Sequence, residues 1–228
     1  AYTTWALGKT AIGVEFRREN ILSTRLGKEI PEAEQHKYKV PGWDEYYKYK
    51  DGRSNVGLYL EHDILFDHLT LSLGILANHN TSVDGGMKLY PGIDLSWRPA
   101  DRWKFYTSFN QSLRTPTYTD LYYNGPGLTG NSQLKPEKST DWHIGASYTG
   151  IFFKVQVKGF YRKGTDMIDW VKYQDATNYT TANSDIDNIG AEAFMDFDFA
   201  ALSNPLNIIL CPVGRYSALI GDFVNFHK

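Results

Sequence analysis

Along most of this chain, apolar and polar residues alternate at every second position, as in strands with one apolar and one polar face. Ile12, Val14 and Phe16 oppose Gly13, Glu15 and Arg17, and Val56, Leu58, Leu60 and Ile64 oppose Gly57, Tyr59, Glu61 and Asp63. Leu69, Leu71, Leu73, Ile75 and Ala77 oppose Thr70, Ser72, Gly74, Leu76 and Asn78. The same alternation returns over residues 89–98, 103–110, 141–148, 153–162 and 189–199. About eight strands are predicted, most of them near the ~9–11 residues that cross a bilayer at a tilt.

The connections alternate in length. Tight turns fall at residues 66–69, 99–102 and 149–150, and long links at 26–53, 80–88, 114–138 and 164–188. Short turns on one rim and long loops on the other are the pattern of outer-membrane barrels, whereas a soluble sandwich has no such systematic alternation. Trp97, Trp103, Trp142, Tyr148 and Phe153 recur near strand ends, where amphipathic rings suit a membrane–water interface. The polar face carries Glu61, Asp63, Asp94, Lys104, Lys158, Arg162 and Glu192, which a large barrel would turn to a wet lumen or a plug.

Composition narrows the reading further. The 228 residues include 16 tyrosines, carry a formal charge of −2 and contain one cysteine, Cys211. The balanced charge points to no nucleic-acid partner, and a lone cysteine excludes an internal disulfide framework. The mean hydropathy of −0.44 is that of a soluble chain, but a barrel hides its lipid face in alternate residues. The histidines lack metal-ligand spacing. Asp44, Glu45, Asp51, Asp120 and Asp175 lack the spacing of a calcium loop, so no metal or cofactor is expected. No nucleophile–base–acid set stands out, so an enzyme is not expected. The first residue is Ala with no leader behind it, which fits a removed signal or an internal piece.

The stretch from Ser112 to Ser139 carries the most specific words: "SLRTPTYTDLYY", then "GNSQLKPEKS", followed later by "GFYRKGTDMIDWV". It resembles the barrel of TonB-dependent outer-membrane receptors, cobalamin receptors in particular. The matching positions are Arg114 and Pro116; Gly130, Asn131, Leu134, Pro136 and Glu137; and Tyr161, Arg162 and Ile168. Gly130 and Asn131 tolerate positive φ, and Pro136 favours an extended Lys135. The Glu137 carboxylate suits backbone N–H or arginine partners, and Arg114 suits Glu137 or a plug carboxylate. The motif is therefore read as structural.

The resemblance implies a fold that is all-β: an antiparallel transmembrane β-barrel segment of about 8–10 strands from a larger barrel. The whole chain, 1–228, would be a fragment of one receptor barrel in the bacterial outer membrane, its plug domain absent, with residues 206–228 a divergent strand or a poorly representative end. Eight strands cannot close such a barrel, so the isolated chain is expected to be an aggregating open sheet. The implied activity is import of a scarce ligand, cobalamin or an iron–siderophore, with energy from the TonB complex. The partners would be outer-membrane lipid, TonB through the missing N-terminal part, the ligand and a surface lipoprotein. The loop aromatics Trp43, Tyr46, Tyr47, Tyr118, Tyr122, Tyr123, Tyr173 and Tyr179 are the candidate ligand contacts, each offering a broad apolar face and, for Tyr, a hydroxyl. A passive porin-like barrel, a lipid-anchored barrel enzyme and a soluble β-sandwich binding module remain open alternatives.

Overall fold

The computed structural model describes residues 1–37, 42, 45–83, 86–174, 176–197 and 222–226. Two strands open the chain, β1 (Tyr2–Trp5) and β2 (Gly8–Ser23). The first long link holds β3 (Lys28–Glu29), a 3-10 turn at Glu32–Glu34, β4 (His36–Lys37) and β5 (Tyr46–Tyr47). Four strands follow: β6 (Tyr49–Leu65), β7 (Leu69–Asn80), β8 (Lys88–Ala100) and β9 (Trp103–Arg114). The next loop contains helix α1 (Tyr118–Tyr122) and the short strands β10 (Asn124–Gly125) and β11 (Leu128–Thr129). Then come β12 (Glu137–Thr149), β13 (Phe153–Val171), β14 (Tyr179–Phe197) and β15 (Asp222–Phe226).

All but β4 and β5 belong to one 13-stranded sheet. Its wall is an antiparallel meander in which each long strand pairs with the next, from β1 to β15. The eight strands predicted from alternation are β2, β6, β7, β8, β9, β12, β13 and β14; β1 and β15 add one at each side. Tyr2–Trp5 is too short to show alternation. Asp222–Phe226 pairs with Ile186–Gly190, so part of the 206–228 stretch is a strand of this wall. Phe199, Cys211 and Pro212 lie outside the described residues. Among the described residues β1 pairs only with β2, and the sheet is a curved, open sector of a barrel rather than a closed one.

The register decides which way each face points. Val14, Leu58, Ala77 and Leu89 fall on one cross-strand row, and Leu73, Ile93, Phe109, Trp142, Tyr161 and Ile189 on another. These rows share the outer face and are uncovered: Val14 is 71% exposed, Phe16 67% and Ile144 68%. Only Ile30 and Tyr90 are buried hydrophobics among the described residues. A soluble sandwich would bury the apolar face against a second sheet, so this arrangement overturns that alternative. The apolar face is lipid-facing. Among the described residues no helix is long and apolar enough to cross a membrane; the crossing is made by strands.

Aromatic rings border this band on both sides. Beside the short turns, Trp97 meets Phe105, Trp103 stacks on Phe105 and meets Tyr148, and Tyr148 meets Phe153, with centroids 4.9–5.8 Å apart. Toward the long loops, Trp142 lies 5.3 Å from Phe109 and 5.5 Å from Tyr161. Two girdles flanking an apolar band are the interfacial pattern of a barrel wall. The inner face is polar and cross-linked. Lys158 Nζ lies 2.7 Å from Glu192, and Arg162 pairs with Asp141. Tyr59 lies over Gly13 and Tyr106 over Gly145, each directly across the ladder, where an added Cβ would strike the ring. Aromatic cover of a strand glycine shields a backbone that has no side chain of its own.

The strands run well past the band on the long-loop side. β13 and β14 have 19 residues each, against the ~9–11 a membrane needs. The link predicted over 164–188 therefore shrinks to 172–178. Its residues keep the ladder despite a bulge between Gly164 and Met167, where Asp166 sits at φ 55° and its N–H donates to Asp185. The alternation signal fades there because the outer face no longer meets lipid.

An outward charge should discriminate the two faces. Ile144→Arg is expected to cost about 2–4 kcal/mol of folding stability in a bilayer. Ser108→Arg, facing Asp94 on the inner side, should cost far less. Urea titration of the barrel in lipid vesicles measures both, and equal costs would contradict the assignment of faces.

Candidate functional site

The loop from β9 to β12 is folded, and the sequence words that mark it do the folding. Arg114 ends β9 and Glu137 begins β12, directly opposite each other on the inner face and on the loop side of the apolar band. The guanidinium donates to both carboxylate oxygens, Nε at 2.5 Å and Nη2 in a second short bond. The N–H of Ile168 donates to the same carboxylate at 2.8 Å, reaching it from beyond the β13 bulge. Burial opposes charge on Glu137, but the Arg114 hydrogen bonds and the Ile168 N–H outweigh it and hold the carboxyl below its ordinary range.

From this clamp the chain turns inward. Thr117 and Asp120 form a reciprocal capping box, Asp120 N–H to Thr117 Oγ1 at 3.1 Å and Thr117 N–H to Asp120 Oδ2 at 2.8 Å, which starts α1. The helix docks against β2 and β6 across the concave side of the sheet. Arg53 donates to the Pro116 carbonyl at 2.6 Å, pairs with Glu19 and holds its guanidinium 4.9 Å from the centre of the Tyr118 ring. The Tyr118 hydroxyl donates to the Glu19 carbonyl at 3.3 Å, and the Tyr122 hydroxyl donates to Asp51 at 2.7 Å. Burial first, and then the bond to Asp51, push the Tyr122 hydroxyl pKa well above its usual value, so it stays a donor.

The loop's other end is fastened to β14. Thr181, fully buried, donates to the Asp120 carbonyl at 2.8 Å, and the Tyr179 N–H donates to the Gly127 carbonyl at 2.9 Å. Asn183 accepts the Lys135 N–H at 2.9 Å and returns a bond to the Lys135 carbonyl at 3.0 Å. Gly130 is not at positive φ; it is required because a Cβ there would lie 2.8 Å from Tyr123 N and 2.9 Å from the Asp120 carbonyl oxygen. The loop glycine at positive φ is Gly127, and Asn131 turns the chain by accepting the Gln133 N–H with its side chain at 2.9 Å.

Between this loop and the wall lies a cavity of about 480 Å³, lined by Lys28, Asp51, Gly52, Arg53, Thr81, Ser82, Val83, Pro116, Tyr118, Leu121, Tyr122, Ser132, Gln133 and Leu134. Three loops thus meet at one site. Its charges are largely paired, Lys28 with Asp51 at 3.6 Å and Arg53 with Glu19. The site offers stacking faces and polar donors and acceptors rather than a net field.

Of the predicted aromatics, the structure brings Tyr118 and Tyr122 to this cavity. Tyr123 turns away and packs edge-on against Trp170, 6.1 Å between centroids. Tyr46 lines separate hollows with Lys48, while Tyr47 pairs in β5 with His36 of β4. Tyr173 is exposed in the short link, and Tyr179 is the first residue of β14 rather than a loop residue. Trp43, Asp44 and Asp175 lie outside the described residues. Sequence reasoning missed Arg53, Lys28 and Gln133. Their signal was weak, because polar residues at a strand end, such as Lys28 and Arg53, or in a loop, such as Gln133, look like solvated surface until the loop folds over the wall. Asp51 and Asp120 are occupied by Tyr122, Lys28 and Thr117, and no group of three or more His, Cys, Asp or Glu among the described residues is placed to hold a metal.

The family described as TonB dependent receptor-like, beta-barrel matches residues 1–215. The chain belongs to the TonB-dependent receptor β-barrel family. These receptors are outer-membrane β-barrels that act in transport, so the wall above spans the bacterial outer membrane and its long-loop rim is extracellular. The barrel is 29% identical over 107 residues to the vitamin B12 transporter BtuB of Vibrio vulnificus (strain YJ016), covering 46% of this chain and 17% of that protein. In structure it is similar to the Q482A mutant of the ferric enterobactin receptor PfeA of Pseudomonas aeruginosa in complex with enterobactin, with TM-score 0.66, 18% identity, and 86% and 32% of the two chains covered. The siderophore receptor PirA of Acinetobacter baumannii aligns with TM-score 0.63, 15% identity, and 87% and 33% covered. The chain thus spans about a third of the solved receptors it resembles.

The Arg114–Glu137 clamp makes a pH prediction. A carboxyl held below its unfolded value contributes stability above that value, about pH 4.3, and loses it as pH falls through the lower folded value. Glu137→Ala leaves the Ile168 N–H unmatched and Arg114 with only its 3.7 Å contact to Asp120, and is expected to cost about 1–3 kcal/mol. The hydrogen-exchange protection factors of residues 115–136, with the intrinsic pH dependence divided out, should be high at neutral pH, lower near pH 3 and low at both in the variant.

Proposed function

We propose that this chain is a sector of an active-transport receptor that captures a scarce amphipathic ligand, of the cobalamin or iron–siderophore kind, at the cavity under the 115–136 loop. The observation that carries this is the meeting of Tyr118, Tyr122 and Arg53 at the extracellular rim, on the lumen side of the wall. Two rings 6.5 Å apart and nearly parallel offer flat faces, and Gln133, Ser132 and Lys28 offer donors around them. A cavity of this size holds one part of such a ligand, and the rest of the barrel mouth would hold the remainder. The similarity to a vitamin B12 transporter and to siderophore receptors supports the ligand class.

In this reading the wall does no covalent chemistry. Binding is local to the loops, and release into the lumen is driven by the TonB complex acting through a plug. A surface lipoprotein would assist capture.

The test is binding by the full-length receptor of cyanocobalamin and of ferric enterobactin, followed by TonB-dependent uptake. Tyr118→Ala and Tyr122→Ala are each expected to weaken binding of the true ligand by about tenfold or more, as truncation of an aromatic anchor does. Tyr122→Phe, which keeps the ring and loses the Asp51 bond, should have a smaller effect. Wild-type affinity in both alanine variants would remove the ligand role from this cavity.

A further inference from the structure

The cavity under the 115–136 loop has charged walls, and each of its charges is already matched. Lys28 Nζ lies 3.6 Å from Asp51, and Arg53 pairs with Glu19. Arg17, just outside the lining, places its Nε 3.0 Å from the other oxygen of Glu19. At the foot of the loop, Arg114 is shared between Glu137 and, at 3.7 Å, Asp120. Among the described residues this network sets four cations against four carboxylates.

The two carboxylates at the cavity are set into the wall. The Asp51 side chain is 15% exposed and that of Glu19 27%. Asp51 accepts the Tyr122 hydroxyl at 2.7 Å on one oxygen and the Gly52 N–H at 2.9 Å on the other. Arg53, largely buried, also donates to the Pro116 carbonyl at 2.6 Å and lies over the Tyr118 ring. Turning Arg53 or Lys28 to an anionic ligand would therefore strip a partly buried carboxylate of its partner, which is costly. The anion would also enter against both carboxylates, and like charges brought together in a desolvated site repel strongly.

We propose that Glu19 and Asp51 determine the charge specificity of this cavity and restrict it to a ligand that is uncharged where it enters. The inference rests on the reading of the cavity as the ligand site and narrows it. An uncharged corrinoid meets the condition, and so does an iron tris-hydroxamate, whose hydroxamate anions balance Fe(III). An iron tris-catecholate, which stays trianionic, does not. The uncharged ligands present amides and carbonyls, which Gln133, Ser132 and the two tyrosine rings meet through hydrogen bonds and flat contact rather than through net charge.

The experiment titrates the full-length receptor in detergent with cyanocobalamin, with ferrichrome as the uncharged iron complex and with ferric enterobactin as the trianionic one, by calorimetry at low and at moderate salt. The wild type is expected to bind an uncharged probe in preference to ferric enterobactin. E19Q/D51N keeps the acceptor oxygens and removes both charges. It should bind ferric enterobactin about a hundredfold more tightly than wild type does, roughly tenfold per carboxylate, and lose that gain as salt rises. A gain of binding cannot come from a failure to fold. E34Q, which removes a carboxylate paired with Lys50 outside the cavity, should bring no gain. An unchanged affinity of E19Q/D51N for ferric enterobactin, or the same gain in E34Q, overturns the proposal. A wild-type preference for ferric enterobactin that Tyr118→Ala abolishes also overturns it, while keeping the cavity as the ligand site. If Tyr118→Ala and Tyr122→Ala alter the binding of none of the probes, the cavity itself is overturned as the ligand site, and the proposal with it.

Discussion

The structure depends on one constraint: within a bilayer every backbone N–H and C=O must find a partner in the protein. The antiparallel ladder meets it strand by strand, in unbroken register from β2 through β14 apart from two local shifts. Once the ladder is fixed, a period of two sends alternate residues to opposite sides. The apolar rows meet lipid, and the charged rows face one another across the inside. That is why the chain has almost no conventional core and why its largest hydrophobic residues are its most exposed ones.

Beyond the lipid the constraint relaxes, and side chains take over the work of organising the chain. The strands continue, a bulge is tolerated at Asp166, and the outer face turns polar. Here the Arg114–Glu137 clamp ties three strands together: β9 and β12 through the ion pair and β13 through the Ile168 N–H. It also sets the direction in which the loop leaves the wall. The loop then bridges β2 and β6 on one side and β14 on the other, so the extracellular mouth is crossed by a braced segment rather than a free one. Ring faces held this way lose little freedom on binding a ligand.

The fold was largely legible because lipid enforces alternation over the full width of the band. Val14, Leu58 and Ile144 declared their face in the sequence. What failed to show lay where that enforcement is missing. The extended ends of β13 and β14 read as loop, since neither of their faces meets lipid there. Helix α1 is too short for a periodic signal, and only the Thr117–Asp120 spacing hints at it. Among the site residues, Tyr118 and Tyr122 could be singled out as aromatic and outside the strands. Arg53 could not, because its partners Pro116 and Tyr118 are 63 and 65 residues away in the sequence and meet it only after the loop folds inward.

The sequence by itself therefore determined the all-β wall, the face each strand residue takes, the short and long rims and the family, because bilayer crossing imposes a local period that composition cannot disguise. The tertiary structure alone decided which loop residues meet. Tyr118 and Tyr122 were drawn to Arg53 and Asp51, Tyr123 was turned to Trp170, and Tyr46 and Tyr47 were left apart. Those choices follow from long-range hydrogen bonds across a concave surface, and no local pattern along the chain encodes the distance between two walls.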